Sequence, residues 1–272
     1  MKLAISNIAW AASEDAAVYA AMRQYGYEGL EIAPTRFFAK NPYDHLHEAR
    51  QLKIDLLRQH QLSLVSMQSL LFGTEGLYLF VDDSAREHLK AYLKKAILFA
   101  ETLSCPVLVF GNPKNRISHH LELDMAIART FFSELGDYAF SHGVSFCLEP
   151  NPVEYGTNFM TSTLAAYQFV KQCNSPGFKM ICDAGTMILN HEHPDLINQC
   201  LDECRHVHVS APFLESIIAR SEYVDHYRHL MQNLKEAGYE HYVSIEMAAP
   251  KENVPSQVIE CLSIISEIYH GL

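Results

Sequence analysis

The feature that most constrains the fold is a phrase that recurs along the 272-residue chain: an amphipathic helical pattern, a glycine, a short apolar run and a polar loop. Glycine placed just past a helix readily takes the left-handed backbone conformation that ends the helix. The phrase is clearest in QYGYEGLEI, SHGVSFCLE, SPGFKMICD and EAGYEHYVSIE. Each repetition predicts a helix followed by a buried strand.

Eight apolar runs predict eight strands, with helical patterns in the gaps between them. The predicted strands are 2–7, 27–33, 63–71, 105–111, 144–149, 178–183, 206–210 and 241–247. Strict alternation of apolar strands with helices requires a parallel sheet covered by helices. Eight units predict an α/β fold, the (β/α)8 TIM barrel, as a single domain over 1–272. An open doubly wound sheet is the competing architecture, but the first predicted loop, SNIAWAAS, lacks its glycine-rich turn.

Composition bears on partners and compartment. No apolar run reaches the roughly 18 residues that a membrane span needs, so we expect no membrane partner. The net charge of −11, from 21 basic and 32 acidic residues, opposes nucleic-acid binding. The seven cysteines include no C-x-x-C pair and are odd in number. They predict a reducing, cytoplasmic location in place of a disulfide framework.

Polar side chains close the last four predicted strands. They are Glu149, Asp183, His208 and Glu246. In a barrel these strand ends face one mouth, and neighbouring strands lie about 4.8 Å apart, so the four side chains can converge on one ion. Taken singly, Asp183 could cap a helix and His208 could be a core histidine. Together they predict a site for one divalent metal ion, and the oxygen-rich ligand set suits Mn, Mg or Co, with Zn possible.

The residues around these positions carry a resemblance that covers essentially the whole chain. LEPN, CDAG, HVHVS and SIEM, with the opening KLAISN and the second-strand phrase GLEIAP, resemble the xylose isomerase-like barrel superfamily. The similarity is to its sugar phosphate isomerase/epimerase group, and in particular to the ketose 3-epimerases. The resemblance implies that Glu149 and Glu246 bind the metal and act as acid and base, while Asp183 and His208 complete the coordination.

The function that this resemblance implies is a metal-dependent isomerase or epimerase of a sugar or sugar derivative. Proton transfer between the two glutamates would pass through an enediolate, which a cation stabilises. The implied substrate is a small carbohydrate. The resemblance also implies that a homodimer or homotetramer is possible.

The sequence departs from the epimerase pattern at three positions. Many epimerases of the group place a histidine at the position of Thr186, an acidic residue at Ala211 and an arginine near Leu214. The contact set for a free ketohexose is therefore incomplete. His191 and His193 in the next loop could replace the missing histidine, or they could be solvated loop residues.

Further side chains are predicted to bind the substrate at the mouth. The amides of Gln68 and Asn151 suit sugar hydroxyls, and the planar guanidinium of Arg116 suits a phosphate or carboxylate. The indole of Trp10 suits either the face of a sugar or the apolar core. A histidine two residues from His208 shares its strand face and is an alternative ligand. These predicted substrate-binding residues are Gln68, Asn151, Arg116, Trp10 and His206.

Three other functions remain open at this point. A dehydratase could use the same metal-binding barrel by eliminating a hydroxyl from the same intermediate. A nuclease acting at damaged DNA is opposed by the acidic charge and by the lack of histidines at Gln68 and Thr186. A non-catalytic sugar-binding barrel would not need two acid-base groups around a metal.

Overall fold

The computed structural model describes residues 1–272 and shows a closed barrel of eight parallel strands in sequence order. The strands are β1 Lys2–Ser6, β2 Gly29–Ile32, β3 Ser63–Met67, β4 Val107–Phe110, β5 Ser145–Leu148, β6 Phe178–Asp183, β7 Cys204–Ser210 and β8 Tyr242–Glu246. Each strand pairs with the next, and β1 pairs with β8 to close the ring. The predicted single-domain (β/α)8 TIM barrel is confirmed.

Eight α-helices surround the barrel. They are α1 Asp15–Gln24, α2 Leu46–Asp55, α3 Asp83–Leu103, α4 Leu121–Ser141, α5 Thr163–Cys173, α6 Ala184–Leu189, α7 Ser221–Glu236 and α8 Val254–Gly271. Side-chain caps begin several of them: the carboxylate of Asp82 accepts from the backbone N–H of Ala85 (2.7 Å), and the hydroxyl of Ser162 accepts from that of Ala165 (3.3 Å). None of the helices combines the length and the apolar composition that crossing a membrane requires.

Strand boundaries differ from the predictions by one or two residues at most ends and by four at the end of β3. β3 ends at Met67, where 71 was predicted, because Ser69 takes a left-handed backbone (φ 54°) that no strand can contain. β7 begins at Cys204, two residues before the predicted start, because Cys204 already pairs with Met180 of β6. A strand's first residues carry little periodic signal, so pairing decided them.

The apolar core lies between the sheet and the helices. Phe132 of α4 stacks on Phe178 of β6 and on Phe146 of β5, with ring centroids 4.8 and 6.2 Å apart. All seven cysteines are buried and free, so no disulfide constrains the chain. The predicted cytoplasmic location stays a prediction.

The interior of the barrel is polar on the side that leads to the mouth. Glu31, Ser66, His206, His208 and Ser244 are fully buried there. TIM-barrel interiors are usually filled by branched apolar side chains. Polar groups in such a place must bond to one another, because unpaired burial is costly. The interior therefore supports the residues at the mouth by hydrogen bonds.

Helix α4 approaches the start of β6 closely enough that two glycines are required. A Cβ on Gly136 would lie 2.6 Å from Phe178 Cβ and 2.7 Å from the Phe178 backbone nitrogen. A Cβ on Gly177 would lie 2.2 Å from the Gly136 carbonyl oxygen. Backbone atoms cannot move aside as a flexible side chain can, so this contact tolerates no larger residue.

We expect Gly136→Ala to lower the free energy of unfolding by about 2 kcal/mol or more, because the added methyl overpacks a backbone contact. Chemical denaturation followed by circular dichroism measures this. Gly271→Ala is the matched control, since a Cβ there meets nothing within 4 Å. A Gly136→Ala variant as stable as the control would contradict the packing described here.

Candidate metal centre at the barrel mouth

Four side chains from β5 to β8 meet at the mouth of the barrel. Glu149, Asp183, His208 and Glu246 each offer one ligand atom, and these atoms all lie within 4.8 Å of one another. His208 Nδ1 is 3.0 Å from Glu149 Oε1, 3.2 Å from Glu246 Oε2 and 3.8 Å from Asp183 Oδ2. The predicted cluster is thus assembled around one imidazole nitrogen.

Register and local bonds position Asp183. It pairs with His208 in the β6–β7 ladder, while Ser210 pairs with Glu246 in the β7–β8 ladder. Asp183 Oδ1 accepts from the Thr186 backbone N–H at 2.6 Å and so caps α6. Asp183 Oδ2 accepts from the Ser210 hydroxyl. Asp183 therefore serves as a helix cap and as a candidate ligand, two roles that the sequence had left as alternatives.

Glu149 is held by the neighbouring strand and by its own loop. It follows the last residue of β5, and a Cβ on Gly111, just after β4, would lie 1.8 Å from Glu149 Oε2. Only glycine leaves room for the carboxylate there. The amide of Asn151 donates to Glu149 Oε2 at 3.3 Å, and the Arg116 guanidinium donates to the Glu149 carbonyl oxygen at 2.6 Å.

Burial dominates the electrostatics of the cluster. It raises the pKa of Glu246 to about 7, because the attraction of His208 is offset by repulsion from Glu149 and Asp183. Burial and the charge of Glu149 also raise the pKa of Asp183. Burial alone would lower the pKa of His208, but the surrounding carboxylates, Glu31 first, outweigh it and hold this pKa well above its usual value.

Beneath the cluster lies a residue with no role assigned from the sequence, Glu31 of β2. Its Oε2 accepts from His208 Nε2 (3.0 Å), His206 Nε2 (2.8 Å) and the Ser66 hydroxyl (2.6 Å). Burial alone would raise the pKa of Glu31, but the two imidazoles outweigh it and hold that pKa far below its usual value. By accepting a hydrogen bond from Nε2–H, Glu31 keeps His208 Nδ1 directed toward the three carboxylates.

The residues present fit a divalent cation. Three buried carboxylates face one imidazole, so when all three are ionised even a charged His208 leaves negative charge without compensation, and a cation between them relieves that charge. Carboxylate oxygens with one imidazole suit Mn, Mg, Co or Zn. A proton on His208 Nδ1 occupies the direction in which a cation would bind, and cation binding requires that proton to leave.

A cavity of about 240 Å³ opens above the cluster. Glu149, Asp183 and Glu246 form its floor, and the predicted residues Gln68 and Asn151 line it. The side-chain amide of Gln68 donates to Ser6 Oγ at 2.9 Å, and this hydrogen bond fixes the position of the Gln68 side chain. The cavity is large enough for a small sugar, and most of the residues that line it have polar or charged side chains.

A family model described as "Xylose isomerase-like TIM barrel" matches residues 19–264. The chain belongs to this family. No curated protein has a sequence that matches the chain.

Solved structures share the fold of this xylose isomerase-like barrel at low identity. A 3-keto-D-glucoside 4-epimerase from E. coli superposes with a TM-score of 0.78 at 14% identity, over 97% of this chain and 98% of that one. A D-psicose 3-epimerase from Clostridium cellulolyticum H10 gives 0.77 at 15%, over 100% and 99%. The IOLI protein, whose structure has a bound zinc atom, gives 0.74 at 16%, over 100% and 99%.

Three predicted substrate-binding residues do not line the cavity of this barrel. Arg116 is fully buried, stacks on Phe110 and donates to Asn151 Oδ1 at 2.7 Å, so it braces the loop after β5. Trp10 is buried against Tyr19, and its indole N–H donates to Asp15 at 2.7 Å. His206 points into the interior toward Glu31, below His208, because its strand position lies two residues deeper.

The positions that depart from the epimerase pattern have definite places. Ala211 and Leu214 line the cavity, whereas the Thr186 hydroxyl donates to the Pro150 carbonyl oxygen at 3.0 Å and does not. His191 lines a separate hollow, and His193 belongs to an exposed group with Asp195 and His229. Neither histidine replaces the one missing at Thr186.

Sequence reasoning missed Glu31, Gly111 and Ser210. Glu31 carried the signal that marked Glu149, a carboxylate inside a buried apolar strand, and could have been found by it. Gly111 and Ser210 carried no such signal, because their importance comes from contacts with other strands.

We expect Asp183→Asn to weaken Mn²⁺ binding at least about a hundredfold, because one anionic ligand is lost while an amide oxygen can still cap α6. Isothermal titration on metal-stripped protein measures this, with about one tight ion expected per unaltered chain. His229→Ala is the control, since it disables the exposed group and leaves the mouth intact. Equal affinity in the Asp183→Asn and unaltered proteins would rule out this site.

We expect Glu31→Gln to lower Mn²⁺ affinity by about 10- to 100-fold, because a neutral amide oxygen holds the Nε2–H of His208 less strongly than a carboxylate does. The Mn²⁺ affinity of the folded variant, read by electron paramagnetic resonance, tests this role. Thermal denaturation without metal is run in parallel. A lower melting temperature with unchanged affinity would mean that Glu31 only stabilises the fold.

Proposed function

We propose that this protein is a divalent-cation-dependent isomerase or epimerase of a sugar or sugar derivative. The observation that carries the proposal is the pair of glutamates, Glu149 just after β5 and Glu246 at the end of β8, which belong to a candidate cation site on the floor of a sugar-sized cavity. A structural metal site would not need an open cavity above it. Neighbours of the same fold are named as epimerases of keto sugars, which agrees with this choice.

The cation, when bound, supplies polarisation of a carbonyl and stabilisation of the negative charge that develops on it. The chain's own residues supply the proton transfers. Glu246, at the end of β8, lines the cavity and is placed to remove the proton next to the substrate carbonyl. In the chain without a cation, burial raises the pKa of this carboxyl to about 7.

Glu149 is the second acid-base group. It follows the last residue of β5, three strands from β8, and so approaches the substrate from another side. Asn151 donates to its Oε2 and keeps the carboxylate turned toward the cavity. A proton returned to the opposite face of the same carbon gives epimerisation, and a proton returned to the adjacent carbon gives isomerisation.

Asp183 is a positioning ligand in this scheme. Both of its oxygens accept hydrogen bonds, from the Thr186 backbone and from Ser210, so it is held rigidly. Gln68 and Asn151 are placed to bond sugar hydroxyls. Arg116 keeps Asn151 and the start of the loop in place from below.

The test is solvent-deuterium incorporation into keto sugars and 3-keto-glycosides, with Mn²⁺-loaded protein, followed by NMR. We expect exchange at the carbon next to the carbonyl, and a drop of at least about a hundredfold in Glu246→Gln and Glu149→Gln. Glu154→Gln is the control, since this exposed glutamate lies in the same loop as Glu149.

Three other results of this experiment would each lead to a different conclusion about the function. A product that lacks one water relative to its substrate would assign a dehydratase. Exchange that survives both glutamine variants would remove the glutamates from the mechanism. If the protein binds sugars but none of them exchanges deuterium, the protein would be a non-catalytic sugar-binding barrel.

A further inference from the structure

The mouth of the barrel holds a second, larger cavity beside the candidate site. The inner cavity measures about 240 Å³ and the outer one about 830 Å³. Ser69 and Leu214 line both, so these two residues form the wall between them. We call this wall the Ser69–Leu214 ridge. The outer cavity lies over the loops that follow β1, β2, β3, β7 and β8.

The ridge has an unusual backbone. Ser69 and Leu214 have φ values of 54° and 57°, in the left-handed region that non-glycine residues seldom adopt. Such residues persist only where their surroundings hold them, and they cluster at ligand sites. The Leu214 carbonyl oxygen accepts from the Ala248 backbone N–H at 2.9 Å, and the Ser69 hydroxyl donates to Gln68 Oε1 at 2.6 Å. Both sides of the ridge are thus fixed to the barrel.

The chemistry of the outer cavity differs from that of the inner one. Phe72 stands in its wall with 68% of its side chain exposed, and Tyr92 lines it as well. No carboxylate lines it, whereas three line the floor of the inner cavity. Its two cationic side chains are Arg36, which is paired with Asp15, and Lys40. An exposed aromatic wall of this kind suits a second aromatic ring.

We propose that the substrate is a keto sugar joined to an aromatic group, an aryl glycoside in place of a free ketose. This rests on the proposed function. The sugar lies over Glu149 and Glu246 in the inner cavity, and its aromatic group crosses the ridge to lie against Phe72. Many epimerases of the family have an arginine near this position, whereas here the apolar side chain of Leu214 forms the ridge that the aromatic group contacts as it crosses.

The first test is binding, which needs no catalysis. Isothermal titration of Mn²⁺-loaded protein compares 4-nitrophenyl β-D-glucoside with methyl β-D-glucoside, two ligands that differ only in the group expected to cross the ridge. We expect the nitrophenyl ligand to bind at least about tenfold more tightly, because the ring leaves water for an apolar wall. Equal affinities would overturn the proposal.

Variants locate the effect. Ala248→Trp fills the outer cavity, and Phe72→Ser removes its aromatic wall, so each should abolish the tenfold preference while methyl glucoside binds as before. Ala219→Trp is the matched control on an exposed loop outside both cavities and should keep the preference. A preference that survives both outer-cavity variants would place the aromatic group elsewhere and overturn the proposal.

Deuterium exchange separates failure of this inference from failure of the proposed function. Exchange into free ketoses with no gain from an aryl group would keep the proposed function and reject the extended substrate. An aryl preference that depends on Phe72, with no exchange into any keto sugar, would reject the catalytic role and keep the outer cavity as a binding site. Faster exchange into an aryl 3-keto-glucoside than into its methyl counterpart, lost in Ala248→Trp, would support both.

Discussion

The interaction on which the site depends is the compensation of buried negative charge at the mouth of the barrel. Three carboxylates lie around His208 Nδ1, and a fourth, Glu31, bonds its Nε2 from below. One imidazole thus separates two regions of negative charge. Burial would make this arrangement costly if nothing positive bound between the upper carboxylates, which is why the cluster favours a cation. The raised pKa values of Glu246 and Asp183 reflect the same cost.

Barrel closure sets the geometry that this interaction requires. Parallel pairing places Asp183 beside His208 and Glu246 beside Ser210, so adjacent strands deliver the candidate ligands and their hydrogen-bond partners to the same end of the barrel. Close approaches then complete the site. Gly111 leaves the space that the Glu149 carboxylate occupies, and Gly136 lets α4 approach the start of β6. The polar interior formed by Glu31, Ser66 and His206 supports His208 at the cost of apolar packing.

Much of this could be predicted from particular residues. The alternation of apolar strands with helices predicted the barrel, because a parallel strand covered on both faces must be apolar throughout. The four strand-end residues predicted the cluster, because the fold places all such ends at one mouth. Arg116, Trp10 and His206 were expected at the cavity and lie elsewhere. A loop's sequence shows which residues it contains but not which of them turn inward.

The sequence by itself determined the architecture and the ligand types, since both follow from the spacing of apolar and ionisable residues along the chain. Only the tertiary structure decided what those residues do together. The bonds of Glu31 to two histidines, the space that Gly111 leaves for Glu149, and the ridge of Ser69 and Leu214 all join residues far apart in the chain. The physical reason is that hydrogen bonds and steric contacts act over a few ångströms in space, so partners far apart in sequence leave no local pattern in it.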